Sequence, residues 1–101
     1  MGLAFISENK AKRITPADVA AYLRCTRPFA EQRFVQIEGM TIRKAIETIR
    51  MKEAQRRIDA GETGRAVAKA MHFTSDNQFY RIYKRHFGHI IRDTHQSPAR
   101  S

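Results

Sequence analysis

Between Thr41 and Gly61 the sequence contains no helix breaker, and the apolar residues in that span do not keep to one side. Ile42, Ala45, Ile46 and Ile49 share one face, whereas Met51, Ala54 and Ile58 share another, roughly 150° around the axis at ~100° per residue. A helix packed on a single core keeps a single stripe. A stripe that changes side halfway predicts a helix over about 42–60 whose two halves pack against different bodies. Thr41 is its expected N-cap and Gly61 its stop. At ~1.5 Å per residue such a helix holds those bodies roughly 30 Å apart. With 101 residues in all, the chain is one small domain, or two very small units sharing this helix.

The segments before the helix read as three short helices. Residues 3–8 carry Leu3, Phe5 and Ile6, and a basic connector follows over 10–13. Thr15-Pro16 is a helix start, with Thr as N-cap, Pro in the first turn and Asp18 near the positive end of the dipole. Val19, Ala20 and Leu23 supply that helix's buried side, and it is expected to end near Arg24-Cys25. Thr26 caps the next helix, whose apolar face is Ala30, Phe34 and Ile37 and whose stop is Gly39. Two short helices joined by a tight turn make a helix-turn-helix.

The pattern returns after the long helix. Gly61 to Gly64 breaks the chain, a short helix over 65–71 follows, and a longer one runs over 75–87. Ser75 and Gln78 have the spacing of a capping box. Phe79, Ile82, Tyr83 and Phe87 form one helical face, and Gly88 is the stop. Asn77, Gln78, Arg81, Lys84 and Arg85 lie mostly off that face. An ordinary solvated helix has the same polar side, but amides and guanidinium groups are also the groups that read base edges, and Lys and Arg hold phosphates. The expected architecture is all-α: two helix-turn-helix subdomains over 1–40 and 61–95, a linking helix over 41–60, and a tail over 96–101.

Charge narrows the partners. The formal net charge is +9, an excess that favours a polyanion through counterion release, although membranes and acidic proteins also attract basic surfaces. The single cysteine, Cys25, excludes an intrachain disulfide and fits a reducing compartment. It reads as a small core residue. No apolar run approaches the ~20 residues of a membrane span. His86, His89 and His95 lack the paired cysteines or carboxylates of a metal site, so neither metal nor cofactor is expected. Glu47, Glu53 and Asp59 sit among Lys and Arg on the long helix and read as surface ion pairs, not as a catalytic dyad. Nothing here suggests an enzyme.

The segment HFTSDNQFYRIYKRHFG resembles the DNA-binding domain of the AraC/XylS family of bacterial transcription regulators. It is similar to that family's Gly-Phe-Ser, polar residues, then Phe-x-Arg-x-Phe-Lys-x-x-Phe-Gly. Phe73, Phe79, Arg81, Lys84, Phe87 and Gly88 are in register, with Tyr83 at an aromatic position. Val19-Ala20, Thr26, Phe34, Gly39 and the IRMKEA of the long helix match in the first half, so the resemblance runs from about Ile14 to His95. The GLAFISEN opening and the Arg33-Phe34 pair look most like the branch that includes xylose-operon regulators.

The resemblance implies a bipartite domain of about seven helices that binds double-stranded promoter DNA, with a recognition helix from each subdomain in a major groove. By register it implies base contacts from Arg27, Glu31 and Gln32 in the first subdomain and from Asp76, Asn77, Gln78 and Arg81 in the second. It implies phosphate contacts from Arg43, Lys44, Lys84 and Arg85. It further implies RNA polymerase as a partner, a cytoplasmic, nucleoid-associated location, and an effector-binding domain on the N-terminal side, so that this sequence is expected to be either a stand-alone regulator or a fragment of a longer chain, the abrupt Met1-Gly2 start favouring the fragment. The alternative is a non-specific architectural or protein-interaction module built on the same units.

Several positions depart from the family pattern. His72 stands at a turn that usually takes a left-handed Gly. Gly64 replaces a buried Ile, which predicts a helix that starts late or packs loosely. Arg57 replaces an apolar residue, and Ile91, Thr94 and His95 differ around the last helix. Glu31 and Asp76 would repel phosphates unless they accept from cytosine or hold a neighbouring Arg.

Overall fold

The computed structural model describes residues 2–91. Within them the chain is helical, without a strand: α1 (Gly2–Glu8), α2 (Pro16–Tyr22), α3 (Arg27–Glu38), α4 (Ile42–Asp59), α5 (Gly64–Ala70) and α6 (Asp76–Phe87). The seventh helix implied by the resemblance, with Thr94 and His95, and the tail over 96–101 lie outside the described residues. No described helix is long and apolar enough to cross a membrane. The chain separates into two units, Met1–Arg50 and Met51–Ser101, and the boundary falls inside α4.

The first unit closes around Ile6, Val19, Ala20, Ala30, Phe34, Ile42, Ala45 and Ile46, with Ile49 packed alongside. The second closes around Met51, Ala54, Val67, Ala68, Met71, Phe79 and Tyr83, with Ile58 alongside. The change of stripe along α4 therefore serves two cores, one for each half of the helix. Phe79 is fully buried, and a buried Phe cut to Ala typically costs about 3–5 kcal/mol.

Side-chain caps set the helix starts. In α2 the Thr15 hydroxyl accepts from the Asp18 N–H at 3.2 Å, and the Asp18 carboxylate accepts from the Thr15 N–H at 2.8 Å. Thr26, Thr41 and Thr63 accept from the N–H three residues on, at 3.4, 3.0 and 3.1 Å. Ser75 does the same for Gln78 at 3.1 Å. The reciprocal half of that box is shifted, however. Gln78 Oε1 accepts from the N–H of Thr74, not of Ser75, at 3.0 Å. The long amide reaches past the capping residue and satisfies the donor outside it.

The two units repeat one design. Thr15, Val19, Ala20 and Arg24 recur as Thr63, Val67, Ala68 and His72 at one constant spacing, and after the turn Phe34 and Gly39 recur as Tyr83 and Gly88 at a spacing one residue longer. The turn between the helices opens in the same way in both units, and the second is one residue longer. Arg24 (φ 59°) and His72 (φ 62°) are both left-handed. Each is followed by a residue whose N–H reaches back to an alanine carbonyl, Cys25 to Ala20 at 3.1 Å and Phe73 to Ala68 at 2.9 Å. Neither position is Gly, so both turns carry left-handed strain.

Three expectations are corrected. Helix α5 begins at Gly64, without delay, and the space an Ile would fill is taken by Tyr80: a Cβ at 64 would lie 2.5 Å from Tyr80 Cε1. Ile37 is 54% exposed, because α3 meets its unit through Ala30 and Phe34 while Ile37 only rims a small apolar depression with Leu23 and Phe34. Glu53 is buried, at 5% exposure, and not a surface partner. On α4 it continues the line of Ile42, Ile46 and Ile49, and its carboxylate accepts from Arg56 Nε and Nη2 at 2.9 and 2.8 Å and from Arg57 Nε at 2.8 Å. Those bonds, then the carboxylate's charge, raise the Arg56 pKa. The apolar-to-Arg change at 57 is thus absorbed by an ion triad.

One more charge is buried in the first unit. Arg50 Nε donates to the Lys10 carbonyl at 3.0 Å, which ties the basic connector to α4. Burial, with a smaller push from Arg13, lowers the Arg50 pKa to about 10, which leaves it charged at neutral pH.

Candidate nucleic-acid interface

The second helix of each helix-turn-helix has one side in its own core and the other side in solvent. In α6, Phe79 and Tyr83 fix the inner side. Aromatic neighbours hold them: Phe73 lies 4.9 Å from Phe79 and Phe87 lies 4.6 Å from Tyr83, between ring centroids. Burial, then the Asp59 charge, raises the Tyr83 pKa, so its hydroxyl stays neutral. At ~100° per residue, the side opposite Phe79 and Tyr83 carries Asn77, Arg81, Lys84 and Arg85, and all four are exposed.

The sequence candidates on α6 separate by their engagement. Arg81 is exposed and meets no carboxylate among the described residues. Asn77 is equally open. Gln78 is half-buried, and its carbonyl oxygen is used in the cap of α6, so only its amide NH2 faces outward as a donor. Asp76 pairs with Arg65 of α5 at 3.3 Å. The first turn of α6 therefore does not present a bare negative charge. Sequence reasoning missed Arg65. A basic residue at the start of α5 carries no pattern, and only the fold sets it beside Asp76.

Helix α3 differs. Ala30 and Phe34 are buried, and opposite them lie Gln32 and Gln36, both exposed. Phe29 and Val35 flank those amides and are exposed as well. Sequence reasoning singled out Gln32 but neither Gln36 nor Phe29. For Gln36 the angular position opposite Ala30 and Phe34 was the available signal; Phe29, next to Ala30, carried none. Arg27 and Glu31 form an exposed i, i+4 pair at 3.5 Å, a contact of small energetic weight. As with Asp76, the acid here holds a neighbouring arginine.

The phosphate candidates all lie at the surface. Arg43 and Lys44 are exposed in the first turn of α4. Arg43 and Arg27 line a single open depression of about 380 Å³ together with Thr15, Pro16 and Ala17. Lys84 and Arg85 stand in the last turn of α6, where their charge also complements the helix dipole. Among the described residues no group of three or more His, Cys, Asp or Glu converges as a metal site.

No curated protein matches the chain. Residues 19–97 match the family described as a helix-turn-helix domain, of the AraC type. Among solved structures the chain is similar to a transcriptional regulator of Chromobacterium violaceum with an AraC-type DNA-binding domain. The identity is 21%, the match covers 98% of this chain and 89% of that one, and the TM-score is 0.81. At that identity the likeness establishes the fold.

Proposed function

The chain belongs to the AraC-type helix-turn-helix family, whose pattern spans residues 19–97, and on that premise we propose that it binds double-stranded promoter DNA sequence-specifically, with α3 and α6 each entering a major groove. The observation that carries this reading is the outer side of α6. Asn77 and Arg81 stand exposed between the cap of the helix and the cations Lys84 and Arg85, opposite a face sealed by Phe79 and Tyr83. Arg81 has the fork to bond guanine O6 and N7, Asn77 has the amide to bond adenine, and Lys84 and Arg85 are placed to hold the backbone beside them. Arg43 and Lys44 supply the equivalent backbone charge in the first unit. A site that engages both helices is expected to span about 16–20 base pairs. RNA polymerase and an effector-binding domain N-terminal to this one belong to the same reading, which sets the protein at the nucleoid in the cytoplasm.

The test is selection of bound duplexes from sheared genomic or random DNA, followed by a salt titration on the enriched site. Two half-sites about one helical turn apart support the proposal. Arg81→Ala then weakens one half-site by about 1–3 kcal/mol, whereas Lys84→Ala weakens all duplexes alike and lowers the salt slope by about one. Uniform binding that disappears at moderate salt refutes specificity and leaves a non-specific architectural or protein-interaction module.

A further inference from the structure

The outer faces of α3 and α6 do not carry the same chemistry. α6 ends in Lys84, Arg85 and His86, and Arg81 precedes them. The last turn of α3 has no basic residue, and its outer side is Gln32 and Gln36 with apolar flanks. Phe29 lies in the first turn of α3 and is 54% exposed. The N-terminal residues of a recognition helix are those that meet base edges, and Phe29 stands among them in α3.

We propose that α3 reads A·T base pairs, with Phe29 packed on the 5-methyl group of thymine and Gln32 and Gln36 hydrogen-bonding adenine, while α6 reads its half-site through Asn77 and Arg81 without an apolar contact. The proposal rests on the reading of α3 as a groove-entering helix. Thymine is the one base that displays a methyl group in the major groove, and adenine is the base that matches an amide bidentately. The order of the residues favours DNA over a protein partner. A helix that docks in a protein groove repeats apolar anchors along one line. In α3 that line is occupied by the amides of Gln32 and Gln36, and Phe29 and Val35 stand about 60° to either side of Gln32. Apolar flanks around an amide centre suit a base pair with one methyl and one donor–acceptor edge.

The experiment uses the full chain and the duplex enriched by selection. Arg81→Ala marks the half-site that α6 reads. In the other half each thymine is replaced by deoxyuridine, which removes only the methyl group. The expected result is about fourfold weaker binding per methyl, the value of one buried methylene, with no change when the same replacement is made in the α6 half. Phe29→Ala binds the thymine and uracil duplexes equally and, because the ring is exposed, unfolds at the parent temperature. A specific site at which deoxyuridine has no effect in the α3 half, or at which Phe29→Ala keeps the full penalty, overturns methyl reading while DNA recognition stands. Failure to enrich any sequence overturns both.

Discussion

Replacing Gly64 by alanine tests the close approach of Tyr80 in α6 to the start of α5. A Cβ at this position would lie 2.5 Å from Tyr80 Cε1, 3.0 Å from its hydroxyl and 3.1 Å from Cζ. Carbon atoms rest at ~3.5–4.0 Å, so the ring must retreat by about 1 Å. Two effects oppose one another. Alanine in a helix is favoured over glycine by up to ~1 kcal/mol, and less at the first helical residue, where Gly64 sits. Overpacking costs ~1–3 kcal/mol, and because Tyr80 is partly exposed its ring has room to move, which keeps the strain toward the lower end. A net loss of about 1 kcal/mol is expected. In a Tyr80→Ala background the obstacle is gone, and the same change should be neutral or stabilising. The coupling between the two sites is then about 1–2 kcal/mol. Urea unfolding followed by far-ultraviolet circular dichroism on the four proteins of the cycle measures it. Equal stabilisation by Gly64→Ala in both backgrounds would refute the argument, because the ring would then not be what requires glycine.

Four further outcomes are expected. His72→Gly should stabilise by about 0.5 kcal/mol, since relief of a left-handed residue, ~1–2 kcal/mol, exceeds the extra chain entropy of glycine, ~0.5–1 kcal/mol; thermal unfolding should rise by a few degrees. Glu53→Ala removes the acceptor of three guanidinium bonds and should cost about 2–4 kcal/mol, whereas Glu53→Gln, which keeps one acceptor oxygen, should cost less. Arg50→Lys loses the donor to the Lys10 carbonyl and should destabilise by about 1–2 kcal/mol. Arg50 also carries a pH signature. Its folded pKa of about 10 lies below that of an ordinary arginine, so above pH 10 the unfolded chain binds more protons and stability contributed at this site rises with pH; comparison with Arg50→Met from pH 10 upward isolates the slope.

Most of the helical framework was legible because it rests on local chemistry. Thr15, Thr26, Thr41, Thr63 and Ser75 each satisfy a backbone donor three residues on, a relation visible in any linear reading. The side change along α4 was legible because periodicity records what each half must bury. Features that depend on distant residues were not. That Tyr80 fills the space above Gly64 cannot be seen from two residues on separate helices. The burial of Glu53 was hidden because a carboxylate among arginines looks like a surface pair, even where it continues the line of Ile42, Ile46 and Ile49. Ile37 keeps the period of α3, but the period does not reveal where the body beneath the helix ends. At the candidate interface, Phe29 was overlooked because an apolar residue next to Ala30 invites assignment to a core, and only its exposure redirects attention to it.

Helix α4 is a single run of 18 residues that supplies Ile42, Ala45 and Ile46 to one core and Met51 and Ala54 to the other. Starting a helix is the unfavourable step, with a nucleation constant of roughly 10⁻³, or about 4 kcal/mol, whereas lengthening one is nearly free. Once either unit has ordered its half of α4, the other half grows from an existing end and is spared that step. The two units are therefore expected to melt together, with a cooperativity carried by continuous backbone. A proline at Lys52, which interrupts the hydrogen-bond ladder, should split one unfolding transition into two.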